Sequence, residues 1–424
     1  MKYIPNEFSS LRFIVAVKIV MADLHLIIKL IGLSFKKNNK KIKVLALNHF
    51  FDGEIDVLKK QLDINQYDLY SLSPKPAFTR GYLWFPMSVQ NAEIKYDDQQ
   101  LNAVKKRYRK YCKRLFQILN LFCGIDILIT PSDSFFWIRE FIKVANECGV
   151  CTIVADKEGM ISPGNYTTGP RRIREYYPPL ARYFFVWSER QKKFWMNAGV
   201  PEERVYVTGS LRTDTYINLH EFEERNSIFF FDFDDDAYLT DLDWENVVWQ
   251  KKKSWIELRK SYQKVIYKKA VENPSIKFYI KSHPQQVVID LYLPFENLAN
   301  VVILRGGSKF LPHLLKDCLL VVGFQTTALL EAALMKIPVI YFANGDLFEA
   351  VKSMLLPWHK GELGILWVKS EEELEGAIDL QIANKTNLFQ KNYSDEDMNE
   401  YFYRPDGNVG LRFIEKMNYV YRNI

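Results

Sequence analysis

The feature that most limits what this chain can fold into is a repeated alternation of short apolar runs with helix-length segments. From Lys43 the runs are Lys43–Asn48 (KVLALN), Tyr67–Ser73, Asp126–Thr130 (DILIT), Cys151–Ala155 (CTIVA), Arg182–Trp187 (RYFFVW) and Arg204–Thr208. Helices are expected from about Gly53, over Phe135–Cys148 and over Glu189–Ala198. Runs that stay apolar at successive positions suit strands buried on both faces, and such strands separated by helices form parallel sheets with crossover helices. Polar Asn218–Asn226 interrupts the series, which restarts with Ile228–Phe233 and a long helix over Trp244–Glu272. Strands Ile276–Lys281, Val301–Leu304, Leu319–Gly323, Pro338–Phe342 and Ile365–Lys369 follow, with helices over Lys309–Asp317 and Thr326–Lys336. A last helix opens at Ser370, a sound N-cap with carboxylates in the first turn. At 424 residues the chain exceeds one ordinary domain. It divides into an amphipathic basic segment (1–41), a first α/β unit (42–217), a second (227–390) and a C-terminal helical segment (391–424). Ligands of such sheets sit beyond the carboxyl ends of the strands, so two facing edges predict a cleft.

Composition narrows the function classes. The chain is 48% hydrophobic and 25% charged, as globular proteins are, and its formal net charge of +6 is too mild and too spread out for a nucleic-acid binder. Five cysteines without framework spacing fit a reducing cytoplasm. Cys148-Gly-Val-Cys151 closes a helix instead of opening one, so it reads as two core thiols, not a redox pair. Residues 11–35 are strongly apolar yet carry Arg12, Lys18, Asp23, His25 and Lys29, with Lys36, Lys37, Lys40 and Lys41 behind them. A spanning helix needs about 20 nearly uncharged residues, and no cleavage site of a signal peptide is present. Two readings stay open for 11–41: a peripheral anchor on the inner face of the cell membrane, or a helix packed on the body of the protein.

Candidate chemistry gathers at strand ends. Lys281-Ser-His-Pro284 closes a strand, where Lys281 and His283 suit a diphosphate. Gly323-Phe-Gln-Thr-Thr327 joins a strand to a helix. Gly323 permits the turn, and Thr326 and Thr327, beside Gln325, offer hydroxyls and free N–H groups to a phosphate. Glu331, one turn on, either reaches a ribose diol or is a solvated acid. In the first unit Asp133 and Asp156 follow strands, where a carboxylate can act as general base. Asp232-Phe-Asp-Asp-Asp236 invites a divalent metal, although a polar loop after a strand explains it as well.

Four segments resemble a known group. "VWSERQKKFWMNAGVPEERVYVTGSLRTD", "IKSHP", "GFQTTALLEAALMKIPVIYF" and "YFYRPDGNVGLRFIE", in that order, resemble GT-B enzymes of bacterial surface polysaccharide synthesis. The nearest kinds are capsule and surface carbohydrate biosynthesis proteins and CDP-glycerol glycerophosphotransferases. The likeness spans roughly 125–215 and 275–415, with Gln325-Thr-Thr327 where relatives carry paired serines. It implies a GT-B-like fold of two Rossmann-like parallel-sheet domains facing a cleft. His283 and Lys281 would then meet donor phosphates, Thr326 and Thr327 a phosphate, and Glu331 the nucleotide ribose. Gly209, Arg212 and Asp214 would form hinge and cleft wall, with Arg212 within reach of a phosphate. Glu158, from an acidic Glu-Gly pair, would be the base, with His49 its rival. The activity expected on this basis is glycosyl or polyol-phosphate transfer from a nucleotide-activated donor to a saccharide or lipid-linked acceptor, with no cofactor. A UDP-sugar 2-epimerase is the alternative, since it shares the fold but needs several carboxylates converging on one sugar and no acceptor. A non-catalytic carbohydrate-assembly subunit is the third reading.

Overall fold

The computed structural model describes residues 41–49, 51–90, 93–217, 225–233, 235, 254–282, 290–304, 311–384 and 395–423. The first sheet begins with β1 (Ile42–Leu47), α1 (Asp52–Gln61), β2 (Tyr67–Leu72), α2 (Pro74–Trp84), α3 (Met87–Gln90) and the 22-residue α4 (Asn102–Cys123). It continues with β3 (Ile127–Thr130), α5 (Arg139–Glu147), β4 (Cys151–Ala155), α6 (Pro163–Tyr176), β5 (Tyr183–Val186), α7 (Glu189–Asn197), β6 (Val205–Val207) and α8 (Thr213–Ile217). The second holds β7 (Ser227–Phe231), α9 (Ile256–Glu272), β8 (Lys277–Lys281), β9 (Val301–Leu304), α10 (Leu311–Leu315) and β10 (Cys318–Gly323). After these come α11 (Ala328–Leu334), β11 (Val339–Phe342), α12 (Gly345–Val351), β12 (Leu366–Val368), α13 (Glu371–Asn384), α14 (Asp395–Phe402) and α15 (Val409–Arg422).

Both sheets are six-stranded and parallel, ordered β2-β1-β3-β4-β5-β6 and β12-β11-β10-β7-β8-β9. The expected α/β class with two parallel sheets is what the chain forms. β3, β4, β7, β10 and β11 bury every residue, which is why their sequences read as unbroken apolar runs. Strand order reverses between β1 and β3 in one sheet and between β7 and β10 in the other. At such a point neighbouring crossovers leave on opposite faces, and a crevice opens beyond the strand ends.

The first sheet is covered on one face by α2, α4 and α5, around Phe78, Tyr108, Phe116 and Phe141. Its other face carries α1 and α15, where Ile55, Phe413 and Met417 meet Val44 and Ile129. The last helix therefore returns to the first sheet after the second is complete. Asp214 fixes that return, accepting the backbone N–H groups of Val409 (3.0 Å) and Gly410 (2.8 Å), which an α-helix leaves orphaned at its start. Ser370 caps α13 as expected, its hydroxyl accepting from the Glu373 N–H at 3.1 Å.

Several expectations are corrected. The helix assigned to Phe135–Cys148 starts only at Arg139, because Ser132–Ile138 forms a loop around buried Asp133. The long helix over Trp244–Glu272 is seen as Ile256–Glu272, and residues 244–253 lie outside the described residues. Helix Thr326–Lys336 contracts to α11, because Lys336 takes a φ of 55°. Of the two thiols assigned to the core, Cys151 is buried and Cys148 is exposed. Among the described residues no helix is long and apolar enough to cross a membrane; residues 1–40 lie outside them.

Candidate active site between the two sheets

The carboxyl end of β4 opens into Asp156-Lys157-Glu158-Gly159, and this loop can exist only because residue 159 has no side chain. A Cβ there would lie 2.2 Å from the Trp187 ring. Trp187 in turn donates its indole N–H to the Asp156 carbonyl at 2.6 Å. The Asp156 carboxylate is partly buried, and its Oδ2 accepts from Gln191 Nε2 (2.8 Å) and Trp195 Nε1 (2.9 Å). Oδ1 is held only by a 3.3 Å bond from the Glu158 N–H. These partners are neutral, so burial dominates and pushes the Asp156 carboxyl up to about 7, against the opposing Trp195 hydrogen bond. Glu158 is exposed and pairs with Lys157 at 3.3 Å.

The loop is fastened to both units through Arg212, at the start of α8. One Arg212 Nη2 bond reaches the Lys157 carbonyl at 3.1 Å. Its Nε donates to Glu54 of α1 at 2.8 Å, and Nη1 donates to Glu331 of α11 at 3.1 Å. Tyr216, one helical turn on, donates its hydroxyl to the other Glu331 oxygen at 2.5 Å. Glu54 and Glu331 come from different units and are both buried, 4% and 3% exposed. Burial would depress the Arg212 guanidinium, but the two carboxylates outweigh it and raise its pKa above the ordinary value. Burial, reinforced by Glu331, likewise drives the Tyr216 phenol well up, so it stays a proton donor.

The remaining residues singled out from sequence separate into two groups. His49 stands at the β1/β3 switch point with its ring edge-on to Phe135 (5.0 Å) and Trp137 (5.2 Å). Thr326 and Thr327 stand at the β7/β10 switch point. The Thr326 hydroxyl accepts a 3.3 Å bond from the Ala328 N–H, and Thr327 makes no side-chain cap. Gly323 closes β10 where a Cβ would come within 3.0 Å of Leu329. These positions border the crevice.

Others turn away from it. Asp133 is fully buried and accepts the Leu180 (2.6 Å) and Ala181 (3.0 Å) N–H groups, with Arg139 beside it. That makes it a loop anchor, with no access for a substrate hydroxyl. Gln325 is 2% exposed; its amide donates to the Tyr341 hydroxyl (2.7 Å) and accepts from the Leu356 N–H (2.7 Å), which removes it from donor binding. Lys281 is buried and donates to its neighbour's carbonyl, Ser282 O, at 2.9 Å; burial lowers its pKa. His283 lies outside the described residues. Asp232, first of the acidic run, is held by Arg259 at 2.8 Å and by the Tyr292 hydroxyl at 2.5 Å, and Asp234 and Asp236 lie outside the described residues. Among the described residues no three metal-capable side chains come together.

Two members of the cluster were not found by sequence reading. Glu54 lies in the first turn of α1 and Tyr216 in α8, and neither was singled out. Nothing local marks either, because Glu54 meets Arg212 across 158 residues of chain and Tyr216 meets Glu331 across 115.

No protein-family model matches the chain, and no curated protein matches it by sequence. Solved structures do. The UDP-GlcNAc 2-epimerase of Neisseria meningitidis, bound to UDP-GlcNAc, matches with a TM-score of 0.54 at 14% identity, covering 89% of this chain and all of its own. MnaA of S. aureus, solved with UDP, gives 0.53 at 12%, covering 91% of this chain and 98% of its own. The UDP-GlcNAc 2-epimerase of Methanocaldococcus jannaschii gives 0.51 at 13%, covering 89% and 99%. These matches correct the expected activity: UDP-GlcNAc 2-epimerases share the fold along almost the whole chain, and the reading as a glycosyltransferase is withdrawn. What the likeness shows of this chain is its fold, the two-unit, GT-B-like α/β arrangement that those epimerases share.

Proposed function

We propose that this chain is a nucleotide-sugar isomerase that inverts C2 of a UDP-sugar of the UDP-GlcNAc kind. The observation that carries the reading is the convergence of acids from both units. Asp156 and Glu158 share one loop, and Lys157 between them is tied through Arg212 to Glu54 and Glu331. Inversion at C2 without an oxidant breaks the C2–H bond as its electron pair expels UDP from C1, and the C2–H bond is remade on the other face as UDP returns to C1. It calls for groups that accept and return a proton near neutral pH, and for no acceptor. Asp156, held at about 7 with Oδ1 only lightly engaged, suits that exchange, and Glu158 is its exposed partner on the same loop.

The nucleotide belongs on the second unit, at the β7/β10 switch point, with its diphosphate over the hydroxyls of Thr326 and Thr327. The resemblance implies His283 as a further phosphate partner, whereas Lys281 is turned into the fold by its bond to the Ser282 carbonyl. Glu331 can take a ribose hydroxyl without releasing Arg212, because an ionised carboxylate offers about four lone-pair sites. The motifs resembling surface carbohydrate proteins support a role in supplying sugar for surface polymers. The epimerases solved with UDP and UDP-GlcNAc support the choice of nucleotide.

Incubation with UDP-GlcNAc in D2O, followed by proton NMR, tests the reading. The expected result is an isomer inverted at C2 with deuterium at that carbon, lost on Asp156→Asn. Unchanged UDP-GlcNAc with folded protein, together with no thermal stabilisation by UDP, would overturn it.

A further inference from the structure

The outward face of α4 is unlike the rest of the surface. Lys106, Arg107, Lys110, Lys113 and Arg114 are exposed and recur at steps of three and four, so they form one stripe along the helix. No Asp or Glu occurs in Asn102–Cys123, and none of these five cations forms an ion pair with a carboxylate among the described residues. The same stripe continues, again in steps of three and four, into Ile118 and Leu121, which are 44% and 71% exposed. The opposite side of α4 is spoken for by the core, through Tyr108, Cys112, Leu115, Phe116 and Leu119. Arg107 lies over the Trp84 ring at 4.2 Å, which leaves its charge unneutralised. A helix apolar on its inner face needs no exposed aliphatics outside, and like charges beside them repel one another unless an anionic surface covers them.

We propose that this face of α4 docks on an anionic lipid bilayer, with the cations over the headgroups and Ile118 and Leu121 in the interface. Two features of the fold favour that occupant. Charge complementarity is one-signed along the stripe, while the aliphatic pair at its end suits a bilayer interface and offers nothing to a nucleic acid. The carboxyl end of α4 also lies where the N-terminal segment joins the fold. The Lys43 N–H donates to Asp126, two residues past Gly124, at 2.8 Å. Lys41, which pairs with Asp68 at 3.4 Å, adds a cation at the same edge of the first sheet. That is the amino edge of the strands, so docking there leaves the carboxyl-edge crevice open to a soluble substrate.

The test is flotation of the full chain with vesicles of equal parts phosphatidylglycerol and phosphatidylcholine, against vesicles of phosphatidylcholine alone. The expected result is flotation with the anionic vesicles only, weakened by high salt. Each cation near such a surface is worth about fivefold in partitioning. The combined Lys110→Gln, Lys113→Gln and Arg114→Gln variant should therefore lose about a hundredfold, and Ile118→Ser with Leu121→Ser should lose severalfold. Both variants should keep wild-type circular dichroism and wild-type turnover of soluble UDP-GlcNAc, which separates this proposal from the isomerase reading. Equal flotation of the Gln variant and wild type would overturn the proposal. So would equal binding to both vesicle types, or retention on heparin without flotation, which would assign the stripe to a soluble polyanion.

Discussion

Two arginine centres in this molecule use the same chemistry and do different work. Arg259 on α9 meets Asp232 and Tyr292, and all three lie in the second unit. Arg212 and Tyr216 both donate to Glu331, but Arg212 adds Glu54 and the Lys157 carbonyl and so joins the two units. The first centre is sealed: the Arg259 side chain is 4% exposed and that of Asp232 is not exposed at all. At the second, the Arg212 side chain is 25% exposed, so water can reach it when partners move. A buried charge that loses its partner without water to replace it is costly, and one that can be rehydrated is less so. The sealed centre therefore holds the β7 end and α9 in place, while the wetter one can loosen when the units move.

Breaking the sealed centre should have the largest effect. Asp232→Ala removes the 2.8 Å carboxylate partner of the buried Arg259 charge, and among the described residues the next carboxylate is that of Asp235 at 3.4 Å. A loss of about 3–5 kcal/mol is expected from urea unfolding midpoints. A loss under about 1 kcal/mol would mean that the two centres do not differ as described. Arg212→Met should cost less stability, about 2 kcal/mol, because Glu54 and Glu331 lose one shared partner at a site open to water. Its larger effect should be functional. Limited proteolysis should cut faster between the units, near residues 218–224, and kcat should fall further than the stability loss explains. A variant with normal turnover and an unchanged cleavage rate would remove Arg212 from the role of linking them.

How far this contrast could be read from sequence depends on range. The strands were legible because burial on both faces writes a local, unbroken pattern, as in CTIVA and CLLVVG, and the parallel class follows from that alone. Helices whose sequence works against local propensity were not. α6 contains Pro170, and Gly164 and Gly169 besides, yet it forms because Ser162 caps it at 3.2 Å and Gly169 packs against Phe194. α4 was hidden by its charge, with a cation or polar residue interrupting each core position. Arg212 and Glu331 were each picked out, one as cleft wall and one as a ribose partner. Their pairing was not, because nothing in a local pattern encodes a contact across 119 residues. Asp133 shows the reverse error: a carboxylate after a strand looks the same in sequence whether it faces a crevice or ties down a loop.

The smallest effect sharpens the comparison by adding a carboxylate with no arginine at all. Asp156 is held by Gln191 and Trp195, both neutral, whereas Arg259 opposes the upward push of burial on Asp232. With its folded value near 7, above the ordinary 3.8, the folded protein binds this proton more tightly than the unfolded chain does. Asp156 therefore favours folding fully below about pH 4, and that contribution is lost as the pH rises through 7. Asp156→Asn removes the titration while keeping one acceptor oxygen. The stability difference between wild type and this variant should move against wild type from pH 4 to pH 8 by about 1–2 kcal/mol, part of the roughly 4 kcal/mol of a full shift because water reaches the partly buried carboxyl, read from urea midpoints at each pH. A flat difference would show that Asp156 titrates like an exposed carboxylate, and the β4 loop would then lose its neutral-pH proton donor. A difference confined to that window, with turnover falling on both sides of pH 7, would tie the missing arginine to the chemistry of the loop.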